Sequence, residues 1–240
     1  MKNNIIEIVS NSFNAKDKWG LVIGDIMLDE YINGNVKRLS PEAPVPIVNV
    51  NDNIYKIGGA GNVALNLLGL GIKTVIVGEI GDDNSGEILK SLFKENGLPT
   101  KHLLKKKGST TTKTRVMSGQ QQIVRLDYDE FSAGPNQIEL KKILKLISSS
   151  PSAIIISDYE KGFLTALALK KIIHAANKKN IPILIDPKGK DLEKYRGATA
   201  ITPNKKEAYL LANLTSKKEN ILEKSLKKII KKNNFTFISM

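Results

Sequence analysis

Short apolar runs alternate with amphipathic stretches along most of this sequence. The runs at residues 19–24 and 73–78 each end in a glycine, a form typical of a buried strand. Strands that alternate with helices indicate right-handed β–α–β units, so we predict an α/β fold with a doubly wound, mostly parallel sheet. Predicted strands cover 19–24, 45–50, 73–78, 153–157, 181–185, 199–202 and 235–239, and predicted helices cover 61–70, 85–95, 136–149, 165–179, 205–211 and 217–232.

A second, smaller sheet is expected outside this alternation. Residues 111–117 and 121–126 have the pattern of a β-hairpin around a central Ser-Gly-Gln. The strand predicted at 45–50 contains Pro46, which cannot donate to a central ladder, so this strand is expected to be exposed or at an edge.

The composition excludes several classes of site. The chain has 240 residues, 41% of them hydrophobic, which suffices for one large domain or for one domain with an appendage. It has no cysteine, which excludes disulfides and thiolate metal sites, and its two histidines argue against zinc. No apolar run is long enough to span a bilayer and no signal-peptide core follows the N-terminus, so we expect a cytoplasmic protein without membrane contact.

The formal net charge of +13 suggests nucleic acid, but the residue types argue against it. Phosphate and base recognition favours arginine, and arginine occurs only at Arg38, Arg115, Arg125 and Arg196. Aromatic residues make up 5% and do not interleave with the lysines, so no base-stacking platform is visible. A solvated, lysine-rich surface explains the charge, and we expect no nucleic-acid partner.

A glycine-rich turn at residues 58–62, Gly-Gly-Ala-Gly-Asn, leads into an apolar helical run. Glycines let a ligand approach the backbone, and a helix N-terminus offers free N–H groups to phosphate or to hydroxyl-rich ligands. A tight turn without a ligand would have the same sequence, so the turn gains weight only from the polar residues around it.

Polar residues follow four of the predicted strands. Asp25 and Asp29 come after the first strand, where a carboxylate can accept hydrogen bonds from sugar hydroxyls. Because open α/β sheets bind ligands beyond the carboxyl ends of their strands, all four segments should face one crevice. Helix capping, or a surface turn with a local ion pair, would explain each of them alone. The other three are Ser157–Gly162, Asp186–Gly189 and Thr202–Glu207.

The last two segments suggest a place for phosphate and metal. Asp186 and Lys188, on either side of a rigid proline, direct a carboxylate and an ammonium group to the same cleft. Asn204 can cap the following helix and Glu207 can complete a capping box, which is a sufficient structural interpretation. The functional interpretation adds Mg²⁺ or a phosphate-bound water near the same two side chains.

Together these segments resemble the ribokinase-type (PfkB) carbohydrate kinases, and more narrowly the heptose 7-phosphate kinase domain of ADP-heptose biosynthesis. The most specific match is Ser-Pro-Glu-Ala-Pro-Val-Pro at residues 40–46. The resemblance implies an incomplete ribokinase-like kinase domain over 19–240, after an N-terminal extension at 1–18. The other matching segments are 24–31, 38–39, 58–62, 121–127, 157–162, 186–189 and 202–207.

The resemblance also implies which residues bind the acceptor sugar. Its hydroxyls would be held by Asp25, Gly58, Gly59 and Asn62, and its existing phosphate by Arg38 and Lys161 together with Arg115 or Arg125. Segments near 31–50 and 111–126 would form the family's β lid, which covers the sugar and pairs two subunits into a homodimer. Such a lid excludes water that would otherwise accept the phosphoryl group.

A second set of residues is implied for the nucleotide. The phosphates of ATP and the Mg²⁺ ion would lie by Asn204, Lys205, Lys206 and Glu207, with Asp186 and Lys188 nearby and Glu207 as the metal ligand. The implied reaction transfers the γ-phosphoryl group to the anomeric hydroxyl of D-glycero-β-D-manno-heptose 7-phosphate and gives the 1,7-bisphosphate, a step of lipopolysaccharide core synthesis.

The family's general base has no counterpart in this sequence. It is an Asp in a Gly-Ala-Gly-Asp turn, well after the strand that begins at Phe235, and is therefore expected beyond Met240 together with most of the adenine pocket. Loss of a base and an anion hole costs orders of magnitude in rate, so the chain alone is expected to be inactive or weak. A second polypeptide could complete the fold.

Two other functions remain open on the sequence. Another kinase of the same fold would act on a neutral sugar or a nucleoside, and residues 38–46 argue against it. A non-catalytic sugar-phosphate-binding protein would keep the sugar site and lack the base. Asp186, Asn204 and Glu207 argue against that function, because a sugar binder needs no groups on the phosphate side.

Overall fold

The computed structural model describes residues 18–214, 219–235 and 237–238. The elements in chain order are β1 Trp19–Gly24, β2 Ile26–Leu39, β3 Pro46–Gly59, α1 Ala60–Gly69, β4 Lys73–Ile80, α2 Asn84–Glu95, β5 Leu103–Lys105, β6 Thr112–Ser118, β7 Gln121–Tyr128, α3 Gln137–Ser148, β8 Ala153–Ser157, α4 Ala166–Asn177, β9 Ile183–Asp186, a 3₁₀ turn Glu193–Tyr195, β10 Ala200–Ile201, α5 Lys205–Leu211, α6 Glu219–Asn233 and β11 Phe237–Ile238.

The larger sheet has β1 near its centre. Within the described residues it contains seven strands in the order β11-β10-β9-β8-β1-β4-β5. Every neighbouring pair in it is parallel. The predicted α/β fold with a mostly parallel sheet is confirmed. Since the chain runs outward from β1 in both directions, the ends of β1 and β8 mark the topological switch point, where ligands bind in such sheets.

Helices cover both faces of this sheet. Successive residues of a strand point to opposite faces, so a strand between two helical layers must be apolar throughout. In β1, Leu21 and Ile23 pack in the cluster that contains residues of α3 and α4. Val22 packs on the other side with residues of α1 and α2. Burial on both faces accounts for the continuous apolar runs in the sequence.

The second sheet, hereafter the lid sheet, has the order β3-β2-β6-β7. The predicted hairpin is present as the antiparallel pair β6 and β7. Pro46 begins β3, which lies at an edge, as the proline predicts. Strand β2 was not predicted, because its polar residues and Gly34 conceal a strand that is largely half-buried or exposed. The three-residue strand β5 was also missed.

The glycine-rich segment is not a separate turn, which corrects the sequence interpretation. Gly58 and Gly59 are the last residues of β3, and α1 begins directly at Ala60. Gly59 has φ of +58°, and a Cβ there would lie 2.3 Å from the carbonyl oxygen of Asp25. The strand can therefore pass into the helix only with glycine at this position.

Some predictions fall partly outside the described residues. These are the N-terminal extension up to residue 17 and parts of the segments predicted at 217–232 and 235–239. The helix predicted to be capped by Ser85 begins at Asn84, and its cap is Asp83, whose side chain accepts from the Gly86 N–H at 2.9 Å. Among the helices that the structure describes, none has the length and apolarity to cross a membrane.

Candidate functional site

The polar segments after four parallel strands adjoin one another. The N–H of Asp25, after β1, donates to Ser157 O at the end of β8 over 3.1 Å. The N–H of Asp158 donates to Asp186 O at the end of β9 over 3.1 Å. The N–H of Thr202 donates to Ile185 O, one residue earlier in β9, over 2.9 Å. These bonds hold the four segments in one row along the carboxyl edge of the sheet.

Asp25 is almost completely buried in this row. Its Oδ2 accepts hydrogen bonds from the N–H groups of Tyr159, at 2.7 Å, and Lys161, at 3.2 Å. Its Oδ1 is buried and has no partner in the described structure. Burial raises the pKa of the Asp25 carboxyl, an effect that the two backbone hydrogen bonds oppose. Oδ2 thus holds the loop after β8 in place, and Oδ1 is available to accept a further hydrogen bond.

Asp25 shares a narrow cavity of about 10 Å³ with Glu79 of β4. The Oε2 of Glu79 is also buried without a partner. Burial raises the pKa of the Glu79 carboxyl, while a hydrogen bond from the Ser132 side chain opposes the rise. The space suffices for about one water molecule and excludes a sugar.

A larger cavity, about 320 Å³, lies beneath the lid sheet and is called here the lid cavity. Of the residues that the sequence analysis assigned to the acceptor sugar, four line it: Gly58, Gly59, Asn62 and Arg115. Asp25, the predicted partner of the two glycines, does not line it. Asp29, which the sequence analysis noted after the first strand, occupies that place.

Asp29 is fixed by its neighbours on the lid sheet. Its Oδ1 accepts a hydrogen bond from Arg115 Nη1 at 2.5 Å, and both side chains are partly buried. This pairing is the main reason that the pKa of the Arg115 guanidinium is raised. A Cβ at Gly58 would lie 2.4 Å from Asp29 Oδ2, so only glycine lets the carboxylate rest there. Asp29 is therefore held against bare backbone.

Two lysines add positive charge to the lid cavity. Lys56 on β3 and Lys113 on β6 are the register partners of Asp29 on either side. Lys56 Nζ lies 5.0 Å from the centroid of the Tyr31 ring, and Lys113 Nζ lies 5.5 Å from that of Tyr159. In the described part of the chain neither ammonium has an ion-pair partner, so both remain available to an anion.

The other predicted basic residues lie outside the lid cavity. Arg38 is exposed near the far end of β2. Arg125 is paired with Asp127 on its own strand, at 2.8 and 2.9 Å. Lys161 pairs with Asp129 at 2.5 Å and lines the narrow cavity of Asp25 instead. The structure thus brings Arg115 to the cavity and not these three.

The segment after β10 begins α5 with a capping box. Asn204 Oδ1 accepts from the Glu207 N–H at 3.0 Å, and Glu207 Oε2 accepts from the Asn204 N–H at 2.9 Å, as the sequence predicts. The remaining oxygen, Oε1, accepts from Lys188 Nζ at 2.9 Å. Lys205 and Lys206 are exposed on the first turn of the same helix. Glu207 therefore joins this helix to the loop after β9.

Asp186, Lys188 and Glu207 form a charged group in this row. Burial raises the pKa of the Asp186 carboxyl, and the negative charge of Glu207 adds to the rise. The pKa of Lys188 is raised, chiefly by its hydrogen bond to Glu207. The Lys188 ammonium pairs with Glu207 and also lies in the field of the Asp186 carboxylate, so this group has an excess of negative charge and hard oxygen donors.

This donor set fits Mg²⁺ as it is bound beside nucleotides. Mg²⁺ is held there by one or two carboxylates, by waters and by substrate phosphates, rather than by an all-protein cage. In the described residues, no group of three or more His, Asp or Glu side chains could hold an ion. Asp186 and Glu207 would supply the protein oxygens, and Lys188 could contact a phosphate.

Sequence reasoning missed four members of the lid cavity, namely Tyr31, Lys56, Lys113 and Tyr159. Asp29 and Tyr31 are two apart on β2, as are Lys113 and Arg115 on β6, and alternate residues of a strand share a face. Within the predicted hairpin this period-two pattern places Lys113 on the face of Arg115, and it would have placed Tyr31 beside Asp29 if β2 had been recognised as a strand.

Comparison with known proteins agrees with this arrangement. Residues 20–240 match the pfkB family carbohydrate kinase model. The chain is 44% identical over 211 residues to the bifunctional protein HldE of Methylobacillus flagellatus, covering 86% of this chain and 43% of that one. It is 43% identical over 216 residues to the HldE of Aliarcobacter butzleri, covering 88% and 45%. The chain therefore spans less than half the length of these relatives.

Solved structures show the same fold at lower identity. Phosphofructokinase-2 from Escherichia coli, in complex with fructose-6-phosphate, gives a TM-score of 0.71 at 19% identity, over 93% of this chain and 74% of that one. An Arabidopsis thaliana ribokinase complexed with ribose and ATP gives 0.66 at 14% identity, over 92% and 70%. At such identities the likeness concerns the fold alone. From its sequence match over nearly its full length, this chain belongs to the pfkB family of carbohydrate kinases.

Proposed function

We propose that the lid cavity binds a phosphorylated sugar and that the chain serves its ATP-dependent phosphorylation. By resemblance, the acceptor is the anomeric hydroxyl of D-glycero-β-D-manno-heptose 7-phosphate and the product is the 1,7-bisphosphate. The observation that carries the proposal is the charge of the lid cavity, since it separates a sugar phosphate from a neutral sugar.

The lid cavity has an excess of two positive charges. Lys56, Lys113 and Arg115 contribute three, and Asp29 is the one acid among the described lining residues. Because Arg115 is neutralised by Asp29, the excess belongs to the two lysines. A phosphate monoester carries close to two negative charges near neutral pH, so it complements this surface. A neutral sugar would leave both ammonium groups without a partner.

Other groups in the lid cavity suit hydroxyl groups. Asn62 offers an amide at the start of α1, and Gly58 and Gly59 let a ligand approach the main chain. The Oδ2 of Asp29 can accept from a hydroxyl, since its Oδ1 takes the hydrogen bond from Arg115. The lid cavity therefore places groups that can bind hydroxyls next to the cations, so one sugar phosphate could contact both.

The nucleotide would bind on the β9–β10 side of the row. Asp186 and Glu207 would hold Mg²⁺, while Lys188, Lys205 and Lys206 would face the phosphates with Asn204. ATP supplies the phosphoryl group, and the metal stabilises negative charge that develops during transfer. The protein's own contribution is to orient the sugar and to exclude water under the lid sheet.

The decisive experiment measures which sugar binds. The dissociation constants of heptose 7-phosphate and of the unphosphorylated heptose are compared by calorimetry for the 240-residue chain and for Lys113→Met. Loss of one charge-assisted contact should weaken binding of the phosphate about tenfold or more and leave the neutral sugar unaffected. Lys178 is exposed and directly follows α4, so Lys178→Met should change neither dissociation constant. Equal affinity for both sugars would contradict the proposal.

A coupled ADP-release assay with ATP and Mg²⁺ separates catalysis from binding. None of the described residues is assigned the role of general base, so binding without turnover would support the sugar-phosphate site alone. Turnover that is lost in Asp29→Asn would support the kinase. Fructose 6-phosphate as a second acceptor tests the preference for a heptose, which derives from resemblance only.

The lid sheet is also proposed to pair two copies of the chain. Its edge strands carry exposed apolar side chains: Val50 and Ile54 on β3, and Val124 and Leu126 on β7. Exposed strands of this kind favour association. Light scattering should give the mass of a dimer, and Val124→Lys with Leu126→Lys should give that of a monomer. A monomeric wild-type chain would refute the dimer.

A further inference from the structure

A buried hydrogen-bond chain joins the loop after β8 to the loop after β9. Its centre is Tyr195, which is fully buried at the end of the 3₁₀ turn. The hydroxyl of Tyr195 donates to Asp158 Oδ2 at 2.6 Å and accepts from the backbone N–H of Lys188 at 3.2 Å. The single hydroxyl proton goes to the shorter contact, so the 3.3 Å approach to Lys188 O is secondary.

Asp158 is itself held firmly, which fixes the direction of the Tyr195 hydroxyl. Its Oδ1 accepts from the Glu160 N–H at 2.7 Å, and its Oδ2 also accepts from Lys194 Nζ at 2.8 Å. Burial, and then the negative charge of Asp158, raises the pKa of Tyr195, so the hydroxyl keeps its proton. A protonated hydroxyl that donates to Asp158 must present its lone pairs to Lys188.

The Lys188 residue is thus anchored at two points. Its main chain is tied to Tyr195, and its ammonium reaches Glu207 at the start of α5. Of the loop residues 187–189, Pro187 is buried, whereas Lys188 is exposed and Gly189 has φ of +77°. No other residue of the chain that the structure describes donates to or accepts from the Tyr195 hydroxyl.

We propose that Tyr195, held by Asp158, is a positioning residue for the nucleotide half of the site, acting through the main chain of Lys188. It touches neither ligand, and its role is to keep the Lys188 ammonium beside Glu207. This inference rests on the proposed function, since it takes Lys188 as a phosphate contact. Without the hydroxyl, the Lys188 N–H loses its buried acceptor and the loop gains freedom.

The first test needs no ligand. Hydrogen exchange of the amides at 186–190 is compared for the wild type, Tyr195→Phe and a matched control, Tyr209→Phe. Among the described residues the buried Tyr209 hydroxyl has no hydrogen-bond partner, so its removal takes away no hydrogen bond there. Exchange should accelerate about tenfold in Tyr195→Phe and not in the control. Unchanged exchange in a folded Tyr195→Phe chain would overturn the inference.

The second test measures affinity for ADP with Mg²⁺ and, separately, for heptose 7-phosphate. Tyr195→Phe should weaken the binding of ADP by about three- to tenfold, which is the effect of one hydrogen bond. The affinity for the sugar phosphate should stay within about twofold of the wild-type value. In a Lys188→Met background the same substitution should have no further effect on ADP. If the affinities for both ligands fell together, or if the effect on ADP were undiminished in the Lys188→Met background, Tyr195 would have a structural role only.

Failure of the proposed function gives a different result. If the wild-type chain bound no ADP, the nucleotide role of Tyr195 would fall with the kinase proposal, while the exchange experiment would still decide whether Tyr195 anchors Lys188. If Tyr195→Phe proved too unstable, Asp158→Asn provides a second variant. It keeps the packing and weakens the hydrogen bond to Tyr195, so it should accelerate exchange at 186–190 by less than the roughly tenfold factor expected for Tyr195→Phe. A larger effect on the affinity for the sugar phosphate than on the affinity for ADP would overturn the inference.

Discussion

Asp29 and Arg115 are paired at 2.5 Å across the parallel strands β2 and β6 of the lid sheet. The pair is diagonal, because the register partner of Asp29 on β6 is Lys113 and that of Arg115 on β2 is Tyr31. Arg115 also lies over the Tyr31 ring, 5.2 Å from its centroid. One strand therefore provides the acid and the aromatic platform, and its neighbour provides the two cations.

Arg115 should matter for the sugar phosphate, whereas Arg125 should not. Arg115→Gln leaves Asp29 partly buried without its cation and removes one charge from the lid cavity. Affinity for heptose 7-phosphate should fall about tenfold or more, measured by calorimetry. Arg125→Gln, on the facing strand and paired with Asp127, is the matched control and should stay within about twofold. Similar losses for both would show that the lid cavity is not the phosphate site.

Gly58 should tolerate no side chain. The Cβ of Gly58→Ala would lie 2.4 Å from Asp29 Oδ2 and 2.8 Å from Met27 Cγ, so Asp29 would have to leave Arg115. Overpacking of this kind costs about 1–3 kcal/mol in unfolding free energy and should also abolish sugar-phosphate binding. Gly69→Ala at the end of α1, with open space around it, should be neutral or stabilising by up to about 1 kcal/mol. Denaturant unfolding compares the two, and equal stabilities would be inconsistent with the geometry.

Glu79 should make stability depend on pH in a defined direction. Burial raises the pKa of its carboxyl above the ordinary value of 4.5, so the folded chain holds this proton more tightly than the unfolded chain. The stability gained from the neutral acid is complete below about pH 4.5 and is lost as pH rises through the raised pKa. The groups that face Glu79 are Ser132, Lys106, Asp25 and Glu139.

Glu79→Gln tests this sign, because glutamine imitates the neutral acid at every pH. The two chains should have equal Tm at about pH 4, and the variant should become more stable as pH rises. Each 1 kcal/mol of difference corresponds to roughly 2–4 °C in Tm for a domain of this size. Glu95→Gln, an exposed glutamate on α2, should show no such trend. A constant difference between Glu79→Gln and wild type would show that the carboxyl titrates normally.

The parallel sheet could be predicted from the sequence because its strands are buried on both faces. Residues such as Leu21, Val22 and Ile23 are apolar without interruption, and this pattern survives any tertiary context. The lid sheet could be predicted only in part. Residues of β2 and β3 face the lid cavity on one side and solvent on the other, so polar side chains occur on both faces and the period-two pattern is weak.

The candidate site, like the fold, could be predicted from the sequence only in part. The row after β1, β8, β9 and β10 could be predicted, because parallel strands bring their carboxyl ends to one edge. The capping box of Asn204 and Glu207 is local in sequence and was equally accessible. Asp25 and Asp29 could not be distinguished, since both follow the first apolar run. Only the register of β2 shows that Asp29 lies between Lys56 and Lys113, while the Asp25 carboxylate accepts hydrogen bonds from the loop after β8.

Glu207 has a structural and a proposed metal-binding role, and a second capping box allows the two to be separated. Asn136 and Glu139 form the same reciprocal hydrogen bonds at the start of α3, at 2.8 to 3.0 Å. Glutamine keeps an oxygen that can accept from the cap N–H but carries no charge. Glu207→Gln and Glu139→Gln should therefore lower the unfolding free energy by similar amounts, about 1 kcal/mol or less.

Their effects on nucleotide binding should differ. Glu207→Gln removes a carboxylate proposed to hold Mg²⁺ and releases Lys188 from its ion pair. The affinity for ADP with Mg²⁺ should fall about tenfold or more, and the loss should shrink when Mg²⁺ is replaced by EDTA. Glu139→Gln should leave this affinity unaltered. If both variants bound the nucleotide like the wild type, Glu207 would be a helix cap only.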